Sequence, residues 1–204
     1  MAYCQNNNLS IFYEQHGEGR PVVLIHGGAV NFQFNYTAFG WVDRLNESNL
    51  QVIGLDLRGH GKSDKPLNPD DYGTANLASD VLAVMDALGL NEVAIIGYSL
   101  GSVVALHLIE SLPERFSKAV LVATGDGLIG YPPYTFAALL PVLAEAASRE
   151  EFPEDLPPHI AAYWIFMTET GGSREAMSAA AKAIYPPLSV DLASKIHIPV
   201  MVVS

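Results

Sequence analysis

The stretch Gly97-Tyr98-Ser99-Leu100-Gly101 decides the fold of this chain. It fits the pattern G-x-S-x-G and stands between an apolar run at 93–96 and an apolar segment at 100–112. The short run is typical of a strand buried on both faces, and the longer segment is typical of a helix. A serine on a sharp turn between such a strand and such a helix exposes its hydroxyl at the edge of the sheet. The pattern therefore predicts a strained turn at Ser99 and a nucleophilic role for its side chain.

Apolar runs of the same kind recur along the chain and alternate with segments of helical period. They lie at 22–25, 51–55, 119–123 and 198–203, and an alternating pattern at 9–13 predicts one further strand. Leu77, Val81, Val84 and Leu88 fall on one face of a helix expected over 74–89. Strands that alternate with helices predict βα units and a mainly parallel sheet. The predicted fold class is therefore α/β, with a doubly wound, mostly parallel sheet.

The alternation of strands and helices stops between Asp126 and Ile196. This interval of about 70 residues is too long for a single structureless loop in a compact domain. It contains helical stretches near 136–149, 157–168 and 173–184, and it is rich in aromatic residues. An inserted helical cap explains it better. We therefore expect an incomplete core formed by 1–126 and 197–204, and a helical cap or lid over 127–196.

The composition excludes several classes of partner. A formal net charge of −11 argues against binding to nucleic acid or to an anionic membrane, because both attract positive charge. The one cysteine, Cys4, permits no internal disulfide, and the first residues do not resemble a signal peptide. No apolar run approaches the ~18 residues that a membrane span needs. These features predict a soluble, cytoplasmic protein that acts on a small molecule, and they leave its oligomeric state open.

A second motif, His26-Gly27-Gly28, follows the apolar run at 22–25. Acyl transfer needs two N–H groups that donate hydrogen bonds to the developing oxyanion. The residue after the nucleophile, Leu100, is the predicted source of one donor. Gly28, in the loop after the earlier strand, is the predicted source of the other. The alternative is that the two glycines only form a turn. His26 is predicted to make structural hydrogen bonds rather than to act as a base.

A third motif, Asp56–Asp64 with the sequence DLRGHGKSD, follows the run at 51–55 and lacks the spacing of a phosphate-binding loop. With the H-G-G loop and the G-x-S-x-G turn in this order, the chain resembles the α/β-hydrolase superfamily. The resemblance covers essentially the whole chain, although the cap matches only in position. It implies that the Asp56–Asp64 turn is structural and that no cofactor or metal is needed. A serine at position 99, where the dehalogenase and epoxide-hydrolase branches have aspartate, argues against those branches.

The same resemblance concerns the acid and the base of a catalytic triad. In this family the order is Ser, then Asp or Glu, then His. The acid usually follows the strand that matches 198–203, and the histidine follows one strand later. About two further βα units are therefore expected after Ser204. The resemblance thus implies that the last strand or strands are missing and that the isolated chain is impaired. Within the chain, Asp126 is the candidate acid, with a loop or helix-capping role as its alternative, and His159 is the remaining candidate base.

Three functions remain open at this point. The first is a serine hydrolase that cleaves a small apolar ester, lactone or thioester through an acyl-enzyme at Ser99. The second is a C–C bond hydrolase or a cofactor-free haloperoxidase-like enzyme, which would use the same triad. The third is a ligand-binding or vestigial fragment that keeps the pocket and lacks the triad histidine. The aromatic content of the cap favours an apolar or aromatic substrate.

Overall fold

The computed structural model describes residues 1–124, 136–151, 156–183, 185 and 191–203. Seven strands of these residues form one sheet. They are β1 (Ala2–Asn6), β2 (Leu9–His16), β3 (Arg20–Ile25), β4 (Leu50–Leu55), β5 (Val93–Tyr98), β6 (Phe116–Val122) and β7 (Val200–Val203). Their order in the sheet is β1-β2-β4-β3-β5-β6-β7. The neighbouring pairs β4–β3, β3–β5, β5–β6 and β6–β7 are parallel. In contrast, β2 is antiparallel to both of its neighbours, β1 and β4. The predicted α/β class with a mostly parallel sheet is confirmed.

Seven α-helices lie in the described residues: α1 (Trp41–Glu47), α2 (Thr74–Ala87), α3 (Leu100–Ser111), α4 (Phe136–Ser148), α5 (Pro158–Glu169), α6 (Arg174–Lys182) and α7 (Leu192–Lys195). Of these, α1 packs on one face of the sheet, and α2 and α3 pack on the other. Alternate residues of β3 show the arrangement. Val22 and Leu24 belong to one core cluster with Val42 of α1, while Val23 and Ile25 belong to another with α2 and α3. Burial of both faces explains why the central strands contain continuous apolar stretches, such as 22–25 of β3, instead of alternating with polar residues.

The interval between β6 and β7 contains α4 to α7, and its described residues form no strand. The three helices predicted there are present. A small apolar cluster joins α4, α5 and α6, and it includes Leu143, Ile160 and Ala181. The division of the chain into a core over 1–126 and 197–204 and a cap over 127–196 stays a prediction. Within the described ranges, no helix has both the length and the apolar character of a membrane span.

Candidate active site

Ser99 lies at the junction between β5 and α3 in a conformation that non-glycine residues rarely adopt, with φ 50° and ψ −111°. The two flanking glycines make this turn possible. A Cβ atom on Gly97 would collide with the backbone of Gly101, and one on Gly101 would collide with the carbonyl of Ile25. Such strain persists only where the surrounding structure imposes it. The structure therefore confirms the prediction that Ser99 lies on a strained turn between a strand and a helix.

Ser102 stabilises this turn, and the sequence reasoning missed it. Its fully buried Oγ lies 2.8 Å from the Gly97 carbonyl and 2.9 Å from the Val122 carbonyl, and it accepts a hydrogen bond of 3.1 Å from the Val122 N–H. The Ser99 N–H also donates to the Val122 carbonyl, at 2.8 Å. The available signal was a small polar residue three positions after Ser99 in an otherwise apolar helix. Ser102 thus connects the turn to the end of β6.

The loop after β3 lies against the same turn. A Cβ atom on Gly27 would be 3.5 Å from Cβ of Ser99, and one on Gly28 would be 3.9 Å from Cδ2 of Leu100. Leu100 is in the first turn of α3, where backbone N–H groups have no acceptor within the helix. The structure therefore brings Gly28, Leu100 and Ser99 together. Their roles as oxyanion donors and nucleophile remain predictions.

Two side chains from outside the loop bind its backbone. The Gly27 N–H donates to Oδ1 of Asn35 at 2.9 Å, and the Ala29 N–H donates to Nε2 of His60 at 3.3 Å. Ala29 itself has a φ of +62°, in the left-handed region. Asn35, in a π-helical turn over Gln33–Thr37, was not predicted as part of the site. These bonds fix the peptide groups that precede Gly27 and follow Gly28.

The Asp56–Asp64 turn contributes bonds to backbone groups. The buried carboxylate of Asp56 accepts from the Phe32 N–H at 2.9 Å and from the Lys62 N–H at 2.8 Å. The Ser63 hydroxyl donates to the Asp56 carbonyl and accepts from the Phe12 N–H at 2.8 Å. These contacts join β2, the turn and the segment after the glycine loop. They agree with the structural role that the family resemblance implies for this turn.

His26 and His60 have both ring nitrogens occupied by backbone groups. Nδ1 of His26 donates to the Gly27 carbonyl at 2.7 Å, and its Nε2 accepts from the Leu57 N–H at 3.0 Å. Nδ1 of His60 donates to the Arg58 carbonyl at 3.0 Å, while Nε2 accepts from Ala29. Burial lowers the pKa of His26, and burial together with nearby His26 lowers the pKa of His60 to about 3. Both rings are therefore neutral, and neither is available as a general base.

A cavity of about 880 Å³ opens beside Ser99. Gly27, Gly28 and Ser99 line part of it, and the rest of the wall is mainly aliphatic and aromatic. Phe34, after the glycine loop, contacts Phe166 of α5 with ring centroids 5.2 Å apart. Among the described residues that line the cavity there is neither a histidine nor a carboxylate. An uncharged, apolar group is therefore the kind of ligand that this space accommodates.

A family model described as alpha/beta hydrolase fold matches residues 20–192 of this chain. The chain belongs to the α/β-hydrolase family. The AB hydrolase superfamily protein YisY of Bacillus subtilis is 36% identical over 101 residues, which are 49% of this chain and 35% of that relative. The match thus spans about a third of the length of that curated relative.

Solved structures of other α/β-hydrolases superpose on nearly the whole chain. An esterase from Exiguobacterium antarcticum has a TM-score of 0.77 at 26% identity, and the match covers 98% of this chain and 79% of the esterase. Est816, described as an N-acyl homoserine lactone degrading enzyme, has a TM-score of 0.72 at 28% identity, with 98% and 80% covered. Both superpositions agree with the α/β-hydrolase fold of this chain.

In this α/β-hydrolase, α5 is joined to the glycine loop at its C-terminal end. The Thr170 hydroxyl donates to the Ala29 carbonyl at 3.2 Å, and Nδ2 of Asn31 donates to the Thr170 carbonyl at 2.8 Å. Tyr163 and Phe166 of α5 line the cavity. Burial raises the pKa of the Tyr163 phenol, so this group stays neutral. The helix therefore contributes an uncharged wall next to Ser99.

The candidate acid of the hydrolase, Asp126, lies outside the described residues, and the side chain of His159 is also not described. No group of three or more His, Cys, Asp or Glu side chains that could bind a metal occurs in the described part of the chain.

Proposed function

We propose that this α/β-hydrolase cleaves small apolar substrates with an ester-like bond, using Ser99 as the nucleophile. The observation that carries the proposal is the strained turn at Ser99, which lies beside Gly28 and Leu100 and lines the apolar cavity. A nucleophile, two N–H donors and space for an acyl group are the parts that acyl transfer requires.

The reaction follows from these positions. Ser99 Oγ attacks the carbonyl carbon, and its proton passes to a general base. The carbonyl oxygen becomes an oxyanion that accepts hydrogen bonds from the N–H groups of Gly28 and Leu100, and the N-terminal end of α3 favours this negative charge. The bond to the alkoxide or thiolate leaving group then breaks, and the leaving group takes up the proton. Water attacks the acyl-enzyme in the same way and regenerates Ser99.

This mechanism needs a base and an acid that orients it. The ring nitrogens of His26 and His60 are bound to backbone groups, and no imidazole lies among the described residues that line the cavity. The base therefore has to be a group other than His26, His60 and these lining residues. Asp126, which follows β6 in the sequence, is the proposed acid. Its position after a parallel strand is one that some members of the superfamily use.

The wall of the cavity supports an apolar substrate. Phe34 and Phe166 form an aromatic pair in the wall of the cavity that Ser99 also lines, and Tyr98, which precedes the nucleophile, lines it too. Aromatic side chains bind apolar groups through a large contact area. A charged acyl group would be desolvated there without an ion-pair partner among the described lining residues. Carboxylic esters, lactones and thioesters with apolar acyl chains are the proposed substrates.

Covalent labelling tests the nucleophile directly. The folded chain is incubated with an alkyl fluorophosphonate, and the modified residue is located by peptide mass spectrometry. We expect a single adduct on Ser99 that forms slowly, because the described cavity wall brings no base to its hydroxyl. We expect no adduct in Ser99→Ala and the wild-type rate of labelling in Ser111→Ala, whose exposed serine lies at the other end of α3. Absence of labelling, or an adduct on another residue in the wild type, would contradict the proposal.

A further inference from the structure

The peptide between Gly27 and Gly28 has two ends with different surroundings. Its carbonyl oxygen, on Gly27, accepts a 2.7 Å hydrogen bond from Nδ1 of His26, whose side chain is completely buried. Its N–H, on Gly28, belongs to a residue that lines the cavity beside Ser99. In a planar trans peptide the carbonyl and the N–H point in opposite directions. A carbonyl that is directed inward to His26 therefore directs the Gly28 N–H outward.

The imidazole of His26 is itself fixed from two sides. Nδ1 faces a carbonyl, which only accepts, and Nε2 faces the Leu57 N–H, which only donates. These partners allow a single neutral tautomer, with the proton on Nδ1. Leu57 follows β4, so the ring is anchored to the neighbouring strand of the sheet. The donor that binds the Gly27 carbonyl is thus in a defined position before any ligand enters.

A peptide between two glycines needs such a partner. Neither Gly27 nor Gly28 has a Cβ atom, so rotation of the peptide between them meets little steric resistance. Asn35 binds the N–H of Gly27 and His60 binds the N–H of Ala29, which fixes the two neighbouring peptides. The peptide in the middle depends on His26. A rotated peptide would present the Gly27 carbonyl to the cavity, where it would repel an oxyanion.

We infer that His26 is a positioning residue that holds the Gly27–Gly28 peptide in the orientation in which the Gly28 N–H faces the substrate carbonyl beside Ser99. This inference rests on the proposed function for the chemical role of that N–H. The orientation of the peptide itself is independent of any activity. His26 contacts no substrate and acts only through the backbone of Gly27.

Two substitutions of His26 separate its two hydrogen bonds. In His26→Asn the side-chain amide occupies the place of Nδ1 and can still donate to the Gly27 carbonyl, but the acceptor for Leu57 is lost. In His26→Gln the side-chain carbonyl occupies the place of Nε2 and can still accept from Leu57, but the donor to Gly27 is lost. Each variant loses one buried hydrogen bond. Unfolding in urea should therefore show similar destabilisation of both, which makes them matched controls for each other.

The variants are compared by crystal structures and by the rate of Ser99 phosphonylation with the fluorophosphonate. We expect His26→Asn to keep the peptide orientation and most of the wild-type rate. We expect His26→Gln to show a rotated or mixed peptide and a rate lower by about 10²-fold, as found when one oxyanion donor is removed. An unchanged peptide and rate in His26→Gln would overturn the inference. Equal loss of rate in both variants would overturn it too, because it would indicate general loss of packing.

Failure of the proposed function gives a different result. If the wild type is not phosphonylated at all, the role of Ser99 is contradicted, and the crystal structures alone decide the inference. A rotated Gly27–Gly28 peptide in His26→Gln, with the wild-type orientation in His26→Asn, then supports His26 as the residue that holds this peptide. The wild-type orientation in both variants overturns it.

Discussion

The rings of His26 and His60 lie in contact in the core, with centroids 4.9 Å apart and planes inclined by 58°. Each Nε2 accepts from a backbone N–H, of Leu57 for His26 and of Ala29 for His60. Protonation of either ring would place a proton on an atom that must accept, next to a second imidazole and away from water. The loop after β3, whose backbone both histidines bind at Gly27 and Ala29, should therefore lose stability in acid.

The first prediction is a loss of stability below neutral pH. The pKa of His60 is about 3 in the folded protein and near 6.5 in the unfolded chain, so the folded state binds fewer protons. Stability is complete above about pH 6.5 and is lost as the pH falls toward 3. At about pH 5, His60 alone should lower the free energy of unfolding by about 2 kcal/mol. The lowered pKa of His26 acts in the same direction.

Urea unfolding at several pH values measures this effect. His197→Gln, which replaces an exposed histidine, is the control and should leave the pH dependence unchanged. A free energy of unfolding that stays constant from neutral pH to pH 5 would show that the two buried rings are not held neutral by the fold.

The second prediction concerns the ion pair between Arg58 and Asp80. Nη2 and Nε of Arg58 lie 2.6 and 2.9 Å from the two carboxylate oxygens, and both side chains are almost completely buried. Arg58→Met would leave the Asp80 charge buried without its partner, at a cost of about 3–5 kcal/mol in the free energy of unfolding.

Arg44→Met is the control for this substitution. Its ion pair with Glu47 is 3.0 Å long, but the two side chains are 80% and 64% exposed. Its loss should change the free energy of unfolding by less than about 1 kcal/mol. Chemical denaturation of both variants gives the comparison, and similar losses in the two would contradict a special role for burial.

The third prediction concerns Ser102, which joins the nucleophile turn to β6. Ser102→Ala removes the acceptor of the partly buried Val122 N–H, and this should lower the free energy of unfolding by about 1 kcal/mol. Ser111→Ala, in an exposed position of the same helix, should have little effect. Thermal unfolding of the two variants checks the difference, and an unaffected Ser102→Ala would mean that water or a shifted backbone replaces the hydroxyl.

Much of the central sheet could be predicted because burial on both faces makes the middle parts of β3, β4 and β5 apolar. An apolar run does not identify the edge strand β1. β1 has a single buried residue, Cys4, and its pairing with β2 depends on a partner rather than on its own pattern. Helix α1 is only seven residues long and buries Val42 alone, so it has no detectable period. Long, periodic segments carry their own signal, whereas short ones depend on tertiary contacts.

In the candidate site, too, the local sequence pattern was predictable and the contacts between distant residues were not. The Ser99 turn was predictable because the pattern G-x-S-x-G is local, and Gly97 is required by its close contact with the backbone of Gly101. The bonds from His26 to Leu57 and from Ser102 to Val122 join residues 31 and 20 positions apart. No local pattern encodes such pairs. Sequence reasoning therefore located the candidate reacting groups and predicted a structural role for His26, but it did not identify the partners of His26 or the role of Ser102.

The last prediction is that the isolated 204-residue chain hydrolyses activated esters slowly. Ser99 is a weak nucleophile without a base, because its hydroxyl stays protonated at neutral pH. The described residues bring no imidazole to the cavity beside it. The N–H donors and substrate binding can still leave about 10³–10⁴-fold acceleration over water, so the rate should be low but measurable. Turnover of p-nitrophenyl butyrate by the folded wild type, Ser99→Ala and Ser111→Ala measures it.

The three proteins separate the possible outcomes. Slow hydrolysis that Ser99→Ala reduces further, and Ser111→Ala does not, agrees with an oxyanion site that lacks a base. Fast hydrolysis that disappears in Ser99→Ala would mean that a base lies within residues 1–204, and the prediction would be wrong. His159 and Asp126 would then be the first residues to replace, since they remain as candidate base and acid once His26 and His60 are excluded by their backbone bonds. Loss of both turnover and Ser99 labelling in a folded His159→Gln variant would identify that base.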